Sequence, residues 1–307
     1  MRISFIVCTY NIEFFSDTVA CINSLVDQDY VDDHIDKEIL LVMDENDKLY
    51  NMFLFSIPKS VNIIINKRPG LSEARNLGIV NAIGDIIVFI DDDAVADRRY
   101  ALNVIKNYDD KKVIGTYGKI FPKGKPNYPE ELYWLGGFTN KGFPEERCKV
   151  RNGYGCNMSF RRCVFDKVGL FNTNFGRVGK KLNNCEETEF SIKALSAFDG
   201  VKIMYDPSVI VHHKVHKYRQ NLGYIIKRAY SEGVAKSRIS RLHKNKNGDN
   251  DLSTENTYLK YLLVSAIPTY ARCIIAGRDI ATNMKNITLL FVVIFSVGIG
   301  FIAERIK

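Results

Sequence analysis

An apolar run that ends in three consecutive aspartates constrains the fold of this chain most strongly. Residues 85–90 follow Gly84, and Asp91, Asp92 and Asp93 come directly after them. A short apolar run with these borders predicts a buried parallel strand rather than a helix. Because α/β sheets bind ligands at the carboxyl ends of such strands, the three carboxylates are predicted to lie at a binding edge.

Two interpretations of the aspartate triplet follow from the residues alone. Neighbouring carboxylates repel one another unless a cation is present, and oxygen ligands suit Mg²⁺ or Mn²⁺, ions that usually bind together with substrate phosphates. The alternative is a solvated turn in which an aspartate caps the next helix. The triplet alone leaves both interpretations open.

Apolar segments alternate with helical patterns in the first part of the chain. Strands are predicted at residues 3–8, 38–43, 63–65 and 85–90, and helices at 14–25 and from an N-cap at Ser72 to about residue 82. This alternation predicts an α/β fold with a mostly parallel sheet and helices on both faces. The glycine patterns of dinucleotide-binding proteins and of P-loops do not follow the first strand, so those sites are not expected.

The cysteine pattern favours a reducing compartment. The chain has 7 cysteines, an odd number, and no two of them have Cys-x-x-Cys spacing. This argues against a disulfide framework and against a zinc site. The first apolar run, at residues 3–8, is too short for a secretory signal.

Positive charge is concentrated just before an uncharged C-terminal segment. The net charge is +8, and between residues 214 and 246 Glu232 is the only acid among many Lys and Arg residues. Residues 287–303 contain no charge and reach the minimum length of a bilayer-spanning helix. A basic segment followed by an uncharged one predicts a transmembrane helix at 287–303, with a buried terminal helix as the alternative. Residues 259–277, interrupted by charges and a proline, favour an interfacial or re-entrant helix.

Seven short motifs occur in the order found in glycosyltransferases of family 2. They are residues 3–11, 69–78, 91–93, 155–161, 168–171, 186–190 and 207–213. Together they resemble that family and imply its GT-A fold. Residues 155–189 and the apolar tail are similar to archaeal and bacterial enzymes that elongate polyprenyl-linked sugars, and glucosyl-dolichyl-phosphate glucuronosyltransferases are the subgroup that they suggest. The implied regions are a catalytic domain at 1–215, a basic helical or linker region at 216–257 and membrane-associated helices at 258–307.

The resemblance implies a nucleotide-sugar site at the carboxyl edge of the sheet. Base and ribose would lie at the ends of the first two strands, and the diphosphate at the start of a helix. The residues implied are Thr9, Tyr10, Asn11, Asp44, Arg75, Asn76, Asp91 and Asp92. From the residues alone, Asp44 could also be a turn residue and Arg75 a surface cation.

The resemblance also implies a metal site. Asp93 and Asp91 would bind the ion, and His213 would complete the ligand shell, with His212 as the alternative. The cofactor is expected to be Mg²⁺ or Mn²⁺, and imidazole suits Mn²⁺ better. The competing interpretation is that both histidines face solvent.

A second acidic cluster consists of Glu186, Glu187 and Glu189. Carboxylates at a helix start are favoured by the helix dipole, which alone could explain the cluster. The family usually has Glu-Asp here with the second carboxylate as general base, so the resemblance assigns the base to Glu187, next to Glu186. Glu186 and Glu189 share a helix face, whereas Glu187 points elsewhere.

The acceptor is expected between residues 155–161 and 134–138. The candidate contacts are Trp134, Gly155, Asn157 and Arg161. Trp134 is the sole tryptophan, and either a sugar-stacking platform or a core aromatic would explain it.

These implications describe a membrane-associated, metal-dependent, inverting hexosyltransferase. Its donor would be a nucleoside-diphosphate sugar, preferably UDP-linked, and its acceptor a polyprenyl- or dolichyl-linked saccharide. The alternatives are transfer to polyprenyl phosphate itself, or an inactive membrane-tethered protein that binds nucleotide sugars. A nucleic-acid-binding protein is disfavoured because no such motif occurs. The catalytic domain is expected on the cytoplasmic face of the cell membrane.

Overall fold

The computed structural model describes residues 1–29, 36–179, 182–242 and 252–307. These residues form two compact units. The first unit consists of Met1–Lys123, Pro144–Lys181 and Glu186–Lys214, and the second of Gly124–Phe143, Leu182–Cys185 and Val215–Lys307. The predicted division into regions at residues 215 and 257 stays a prediction. Lys244 and Lys246 of the basic segment lie outside the described residues.

The first unit contains nine strands and six helices among its described residues. The strands are β1 (Arg2–Thr9), β2 (Asp36–Asp44), β3 (Val61–Asn66), β4 (Ile86–Asp91), β5 (Ala94–Ala96), β6 (Val113–Lys123), β7 (Cys148–Val150), β8 (Asn157–Arg161) and β9 (Lys202–Lys214). The helices are α1 (Phe15–Val26), α2 (Asp47–Ser56), α3 (Leu71–Asn81), α4 (Tyr100–Lys106), α5 (Arg162–Val168) and α6 (Glu186–Ala197). Short 3₁₀ helices follow β1 and α4.

A single mixed sheet organises the first unit. Its order is β3-β2-β1-β4-β8-β6-β9-β5, and β7 pairs with β9. The four strands β1 to β4 are parallel to one another, as the alternation predicts, whereas β8 runs antiparallel to both β4 and β6, between which it lies. The parallel register brings the carboxyl ends of β1, β2 and β4 to one edge, where Thr9, Asp44 and Asp91 lie.

The sheet is covered on both faces. Five successive residues of β1, from Ile3 to Val7, are buried. Because neighbouring residues of a strand point to opposite faces, burial of all five requires a layer on each face. The helices that pack against the parallel strands include α1 and α3.

One predicted cap is wrong. Helix α3 begins at Leu71, and its N-cap is Gly70, whose φ of 143° few other residues adopt. The hydroxyl of Ser72 donates instead to the carbonyl oxygen of Phe175 at 2.8 Å. A tertiary contact therefore occupies the group that the sequence pattern had assigned to helix capping.

The second unit is helical. It contains α7 (Leu222–Leu242), α8 (Ser253–Tyr261), a π-helical turn (Leu262–Ala266), α9 (Ile267–Ile275) and α10 (Ile280–Ile306), with a 3₁₀ helix at Glu130–Gly136. Leu132, Leu135, Ile225, Leu262 and Leu290 belong to its apolar cluster. Among the described residues, α10 is the one helix long and apolar enough to cross a membrane by length and composition, and it contains the predicted span at 287–303.

Candidate active site

The ends of β1 and β2 carry the side chains predicted to hold the nucleoside. Asp44 accepts a hydrogen bond from Asn66 Nδ2 at 2.7 Å. Burial raises the pKa of Asp44, and the bond from Asn66 offsets part of that rise. Thr9 is buried, with its hydroxyl 3.3 Å from that of Thr18, and Tyr10 is half exposed.

Asn11 has a local contact. Its side-chain oxygen accepts from the backbone N–H of Glu13 at 3.1 Å and caps the short 3₁₀ helix after β1. Its nucleoside-binding role, like those of Thr9, Tyr10 and Asp44, stays a prediction.

The pairing of β5 with β9 brings a histidine to the aspartates. β5 pairs antiparallel with β9, which sets Ala94 opposite His213. His213 Nε2 lies 2.8 Å from Asp93 Oδ1 and 4.0 Å from Asp91 Oδ2, and the side chains of Asp93 and His213 are buried. His212 is exposed and stacks on Phe121. The geometry thus places His213, rather than its neighbour, beside the carboxylates.

Cys156 adds a donor that the sequence motif did not reveal. Single ligand atoms of Asp91, Cys156 and His213 all lie within 4.8 Å of one another. Burial, followed by the nearby carboxylates of Asp91 and Asp93, raises the pKa of the Cys156 thiol well above its usual range. The cysteine stands inside the recognised motif at 155–161, but a thiol there could equally be a small buried hydrophobe.

This donor set fits a divalent cation. Carboxylates are the preferred ligands of Mg²⁺ and Mn²⁺, and imidazole and thiol extend the range toward softer transition metals. The burial of Asp93 and His213 supplies the enclosed environment in which such ligands are held in place. Asp92 lies half-buried in the turn between β4 and β5.

Arg75 connects the end of β4 to the start of α6. Its guanidinium, with a side chain only 3% exposed, donates to Glu186 Oε1 at 2.7 Å, Asp91 Oδ1 at 3.2 Å and the Gly155 carbonyl at 3.1 Å. Burial alone would lower the pKa of Arg75, but the carboxylates of Glu186 and Asp91 raise it overall. The guanidinium of Arg75 therefore already bonds to two carboxylates. Its predicted contact with the diphosphate stays a prediction.

Asn76, which is also predicted to bind the diphosphate, makes two hydrogen bonds to the backbone of a loop. Its side-chain amide donates to the carbonyl oxygen of Phe171 and its oxygen accepts from the N–H of Phe171, both at 2.9 Å. This pair of bonds fixes the start of the segment that follows α5 against α3. The binding role of Asn76 stays a prediction.

The three glutamates of α6 have different environments. Glu186 and Glu189 are buried, and Glu186 pairs with Arg75. Glu187 is only half-buried, and one of its carboxylate oxygens accepts from the hydroxyl of Thr188 at 3.1 Å. Of the three, Glu187 is the one with a side chain that a substrate can reach from solvent.

The predicted acceptor residues of the first unit have structural partners. The Asn157 amide donates to the carbonyls of Lys119 and Val209 and accepts from Tyr100 Oη. Arg161 donates to backbone carbonyls, among them that of Val113 at 2.8 Å. The Gly155 carbonyl accepts from Arg75. Their acceptor roles stay predictions.

Trp134 belongs to the second unit. It is half-buried, and the guanidinium carbon of Arg228 lies 5.8 Å from the centre of its ring. This contact is a cation–π pair within that unit. Whether the ring also stacks on a sugar stays a prediction.

Solved structures share this fold. The mannosyltransferase PcManGT from Pyrobaculum calidifontis, in complex with GDP-Man and Mn²⁺, aligns with a TM-score of 0.63 over 99% of this chain and 88% of that chain, at 18% identity. TarS of S. aureus aligns with a TM-score of 0.54 over 86% of this chain and 43% of its own, at 16% identity. These likenesses show the fold and confirm the expected GT-A architecture.

Sequence comparisons identify the family of the chain. The chain is 27% identical over 310 residues to the glucosyl-dolichyl phosphate glucuronosyltransferase of Haloferax volcanii, covering 98% of this chain and 96% of the relative. It is 26% identical over 172 residues to the succinoglycan biosynthesis protein ExoM of Rhizobium meliloti, and this match spans 52% of that protein. The sequence profile of glycosyl transferase family 2 matches residues 4–169, more than half of the chain. The chain therefore belongs to glycosyl transferase family 2.

Proposed function

We propose that this protein is a membrane-associated, metal-dependent hexosyltransferase. It moves a sugar from a nucleoside-diphosphate donor to a saccharide carried on dolichyl or polyprenyl phosphate. The observation that carries the proposal is the contact of 2.8 Å between His213 and Asp93 at the carboxyl edge of the sheet. The H. volcanii relative, whose name specifies a glucosyl-dolichyl phosphate, supports the acceptor class.

Asp93, Asp91 and His213 would hold the cation. When bound, a Mg²⁺ or Mn²⁺ ion neutralises charge on the leaving nucleoside diphosphate. The imidazole favours Mn²⁺, the ion present in the PcManGT complex. Arg75 keeps the Asp91 carboxylate in place through a bond of 3.2 Å.

Glu187 is the proposed general base. Its half-buried carboxylate removes the proton of the acceptor hydroxyl while that oxygen forms a bond to the anomeric carbon. The bond from the anomeric carbon to the diphosphate oxygen breaks on the opposite side, which inverts the configuration. General-base assistance contributes about 10²–10⁴-fold to the rate. Glu186, fixed by Arg75, holds the first turn of α6 in place for its neighbour.

The donor base is proposed to be uracil. A carboxylate oxygen of Asp44 can accept a hydrogen bond from the uracil N–H, and Thr9, Tyr10 and Asn11 lie at the end of the adjacent strand. Asp92 and Asn76 complete the proposed donor set. Trp134, Gly155, Asn157 and Arg161 remain the proposed acceptor contacts.

The catalytic domain is proposed to face the cytoplasm. All 7 cysteines, which lie in described parts of the chain, are free thiols. Free thiols persist in reducing compartments, where nucleotide sugars are also made. The apolar helix α10 supports attachment to the cell membrane.

Two measurements test the proposal. Nucleotide sugars should raise the melting temperature in the presence of Mn²⁺, because a ligand that binds only the native state stabilises it. Labelled sugar should then appear on a polyprenyl-phosphate-linked saccharide, and less on polyprenyl phosphate itself. Labelling of polyprenyl phosphate alone would refute the proposed acceptor class. Absence of transfer from any common UDP-, GDP- or dTDP-sugar would refute the proposed glycosyltransferase activity.

A further inference from the structure

Helices α7 and α10 of the second unit pack side by side. Ile225, in the first turn of α7, and Leu290, in the first half of α10, belong to one apolar cluster. Farther along, Arg238 and Arg241 each donate to Oε1 of Glu304 at 3.0 Å. The two helices are therefore parallel, and their contact extends over about 20 Å.

Two glycines bring the helix backbones into direct contact. A methyl group on Gly233 would lie 2.0 Å from the carbonyl oxygen of Val297, and one on Gly300 would lie 2.1 Å from the carbonyl oxygen of Tyr230. This approach leaves no room for a lipid chain between the two helices. Wherever α10 lies in a membrane, α7 lies next to it.

Charged side chains occur along the whole of this contact on α7. They are Lys227, Arg228, Glu232, Lys236, Arg238 and Arg241. Several are paired, such as Arg228 with Glu232 at 2.7 Å and Lys236 with Glu255 of α8 at 2.8 Å. If α10 crossed a bilayer, these groups would lie at the depth of the hydrocarbon, where charged side chains are costly. The packing therefore disfavours a membrane-spanning α10.

The opposite face of α10 is apolar and exposed. Phe295, Ile299, Ile302 and Ile306 follow one another at intervals of three or four residues, and 59–81% of each is exposed. Contiguous apolar surface of this kind marks an interaction site. Although its central sequence is uncharged, α10 is amphipathic once it packs against α7.

Exposed basic residues occur near both ends of α10 and in the segment that leads into it. Lys285 and Arg305 lie toward the two ends of α10, and Arg272 and Arg278 lie in and just after α9, all of them exposed. An apolar helix face flanked by positive charge fits the surface of an anionic bilayer, where acyl chains meet negative headgroups.

We propose that α10 lies within one leaflet, parallel to the membrane plane, with α7 on its aqueous side. The protein then attaches from one side of the membrane without crossing it, in place of the transmembrane helix predicted at 287–303. The inference rests on the membrane attachment in the proposed function and specifies its geometry.

Depth-dependent fluorescence quenching tests this geometry in the full-length protein. In a Trp134→Phe background, single tryptophans are introduced as Phe291→Trp, Phe295→Trp, Ile299→Trp and Ile302→Trp. The variants are bound to vesicles of phosphatidylcholine and phosphatidylglycerol that contain lipids brominated at shallow or deep acyl positions. A helix in the plane gives the same shallow depth, about 5–10 Å below the boundary, at all four sites. A depth that changes steadily along the helix would overturn the proposal.

A protease assay checks the same point with only a C-terminal tag added to the native chain. The protein is bound to the outside of sealed vesicles, and protease is then added outside. Cleavage of the tag without detergent supports the in-plane arrangement, whereas protection of the tag until detergent is added overturns it.

A matched pair of variants tests the lipid contact itself. Phe295→Asp should weaken vesicle binding at least about tenfold. Phe55→Asp, at a 91% exposed phenylalanine on α2 of the first unit, should leave vesicle binding unchanged. Unchanged binding of Phe295→Asp would overturn the proposal, as would a vesicle-free dimer that this substitution dissociates. Sugar transfer in detergent is measured separately, so loss of that activity would refute the proposed function and not this geometry.

Discussion

Arg75 and Glu186 form a buried ion pair in which Nη1 lies 2.7 Å from Oε1. The same guanidinium donates to Asp91, so a single side chain joins a proposed metal ligand to the helix that carries the proposed base. We therefore propose that Arg75 is a positioning residue that supplies positive charge to both carboxylates.

Arg75→Lys should impair both stability and turnover. A lysine cannot bond to both carboxylates in the fixed geometry of a guanidinium, and breaking a buried pair costs about 3–5 kcal/mol. Denaturant unfolding should show that loss, and kcat should fall at least about tenfold while KM for the donor changes less. Arg99→Lys, at an exposed arginine, is the control. Unchanged stability and kcat would contradict this role.

Asp93→Ala and His213→Ala should abolish the response to Mn²⁺. Each removes one partner of the contact at 2.8 Å, so calorimetric Mn²⁺ binding should weaken strongly and transfer should stop. His212→Ala removes the exposed neighbouring imidazole and should retain both properties. Full turnover by the wild type in excess EDTA would contradict the metal assignment.

Glu187→Gln should reduce kcat by at least about 10²-fold with donor binding nearly intact. The amide keeps the shape of the side chain but cannot accept the proton. Because Glu187 is half-buried, whereas the buried ion pair with Arg75 is formed by Glu186, the melting temperature should change little. Glu186→Gln should instead lower the melting temperature, since it leaves Arg75 with one carboxylate fewer. The opposite pattern would exchange the roles of the two glutamates.

Glu232→Gln should destabilise the second unit in a pH-dependent way. Burial alone would raise the pKa of Glu232, but Arg228 and Lys236 beside it lower the pKa overall. A lowered pKa stabilises the fold above the ordinary value of about 4.3, and this stabilisation is lost as the pH falls. The difference from wild type should be about 3 kcal/mol at pH 7 and should shrink below about pH 4. Glu146→Gln, at an exposed site, is the control.

Cys156→Ser should change the metal preference. The thiol lies close enough to Asp91 and His213 to share one ion with them, and sulfur binds Zn²⁺ or Cd²⁺ far better than Mg²⁺. Calorimetry should show weaker Zn²⁺ and Cd²⁺ binding in the variant and unchanged Mg²⁺ binding. Equal loss for all three ions would indicate that the substitution disturbs the site as a whole.

The parallel half of the sheet could be predicted from sequence because its strands are continuous apolar runs separated by helical patterns. Strand β8 could not, since its polar and apolar residues alternate over only five positions, and the motif that contains them was expected to contact the acceptor. The approach of Asp93 and His213 was expected only through the family resemblance. The residues alone gave no reason for β5 to pair with β9.

Partners distant in sequence explain most of what sequence reasoning missed. In the sequence, the basic segment is a concentration of positive charge because it contains one acid. In the structure Lys214 pairs with Asp17, Lys236 with Glu255, and Arg238 and Arg241 with Glu304. A count of charges within one segment does not include acidic residues from other segments that pair with it in the folded protein. The same holds for the carboxylates that surround Arg75.

The second unit is assembled from three separate stretches of the chain, and this has a consequence for the order of folding. Leu135 and Leu290 share one apolar cluster, although all the later strands of the sheet lie between them in sequence. During synthesis the apolar side chains of the early stretch stay at least partly uncovered until α7 and then α10 have left the ribosome. Closing so long a loop is slow, and such intermediates are prone to aggregation. A bilayer or a chaperone that shields the waiting segment would therefore raise the yield of folded protein without altering its final stability.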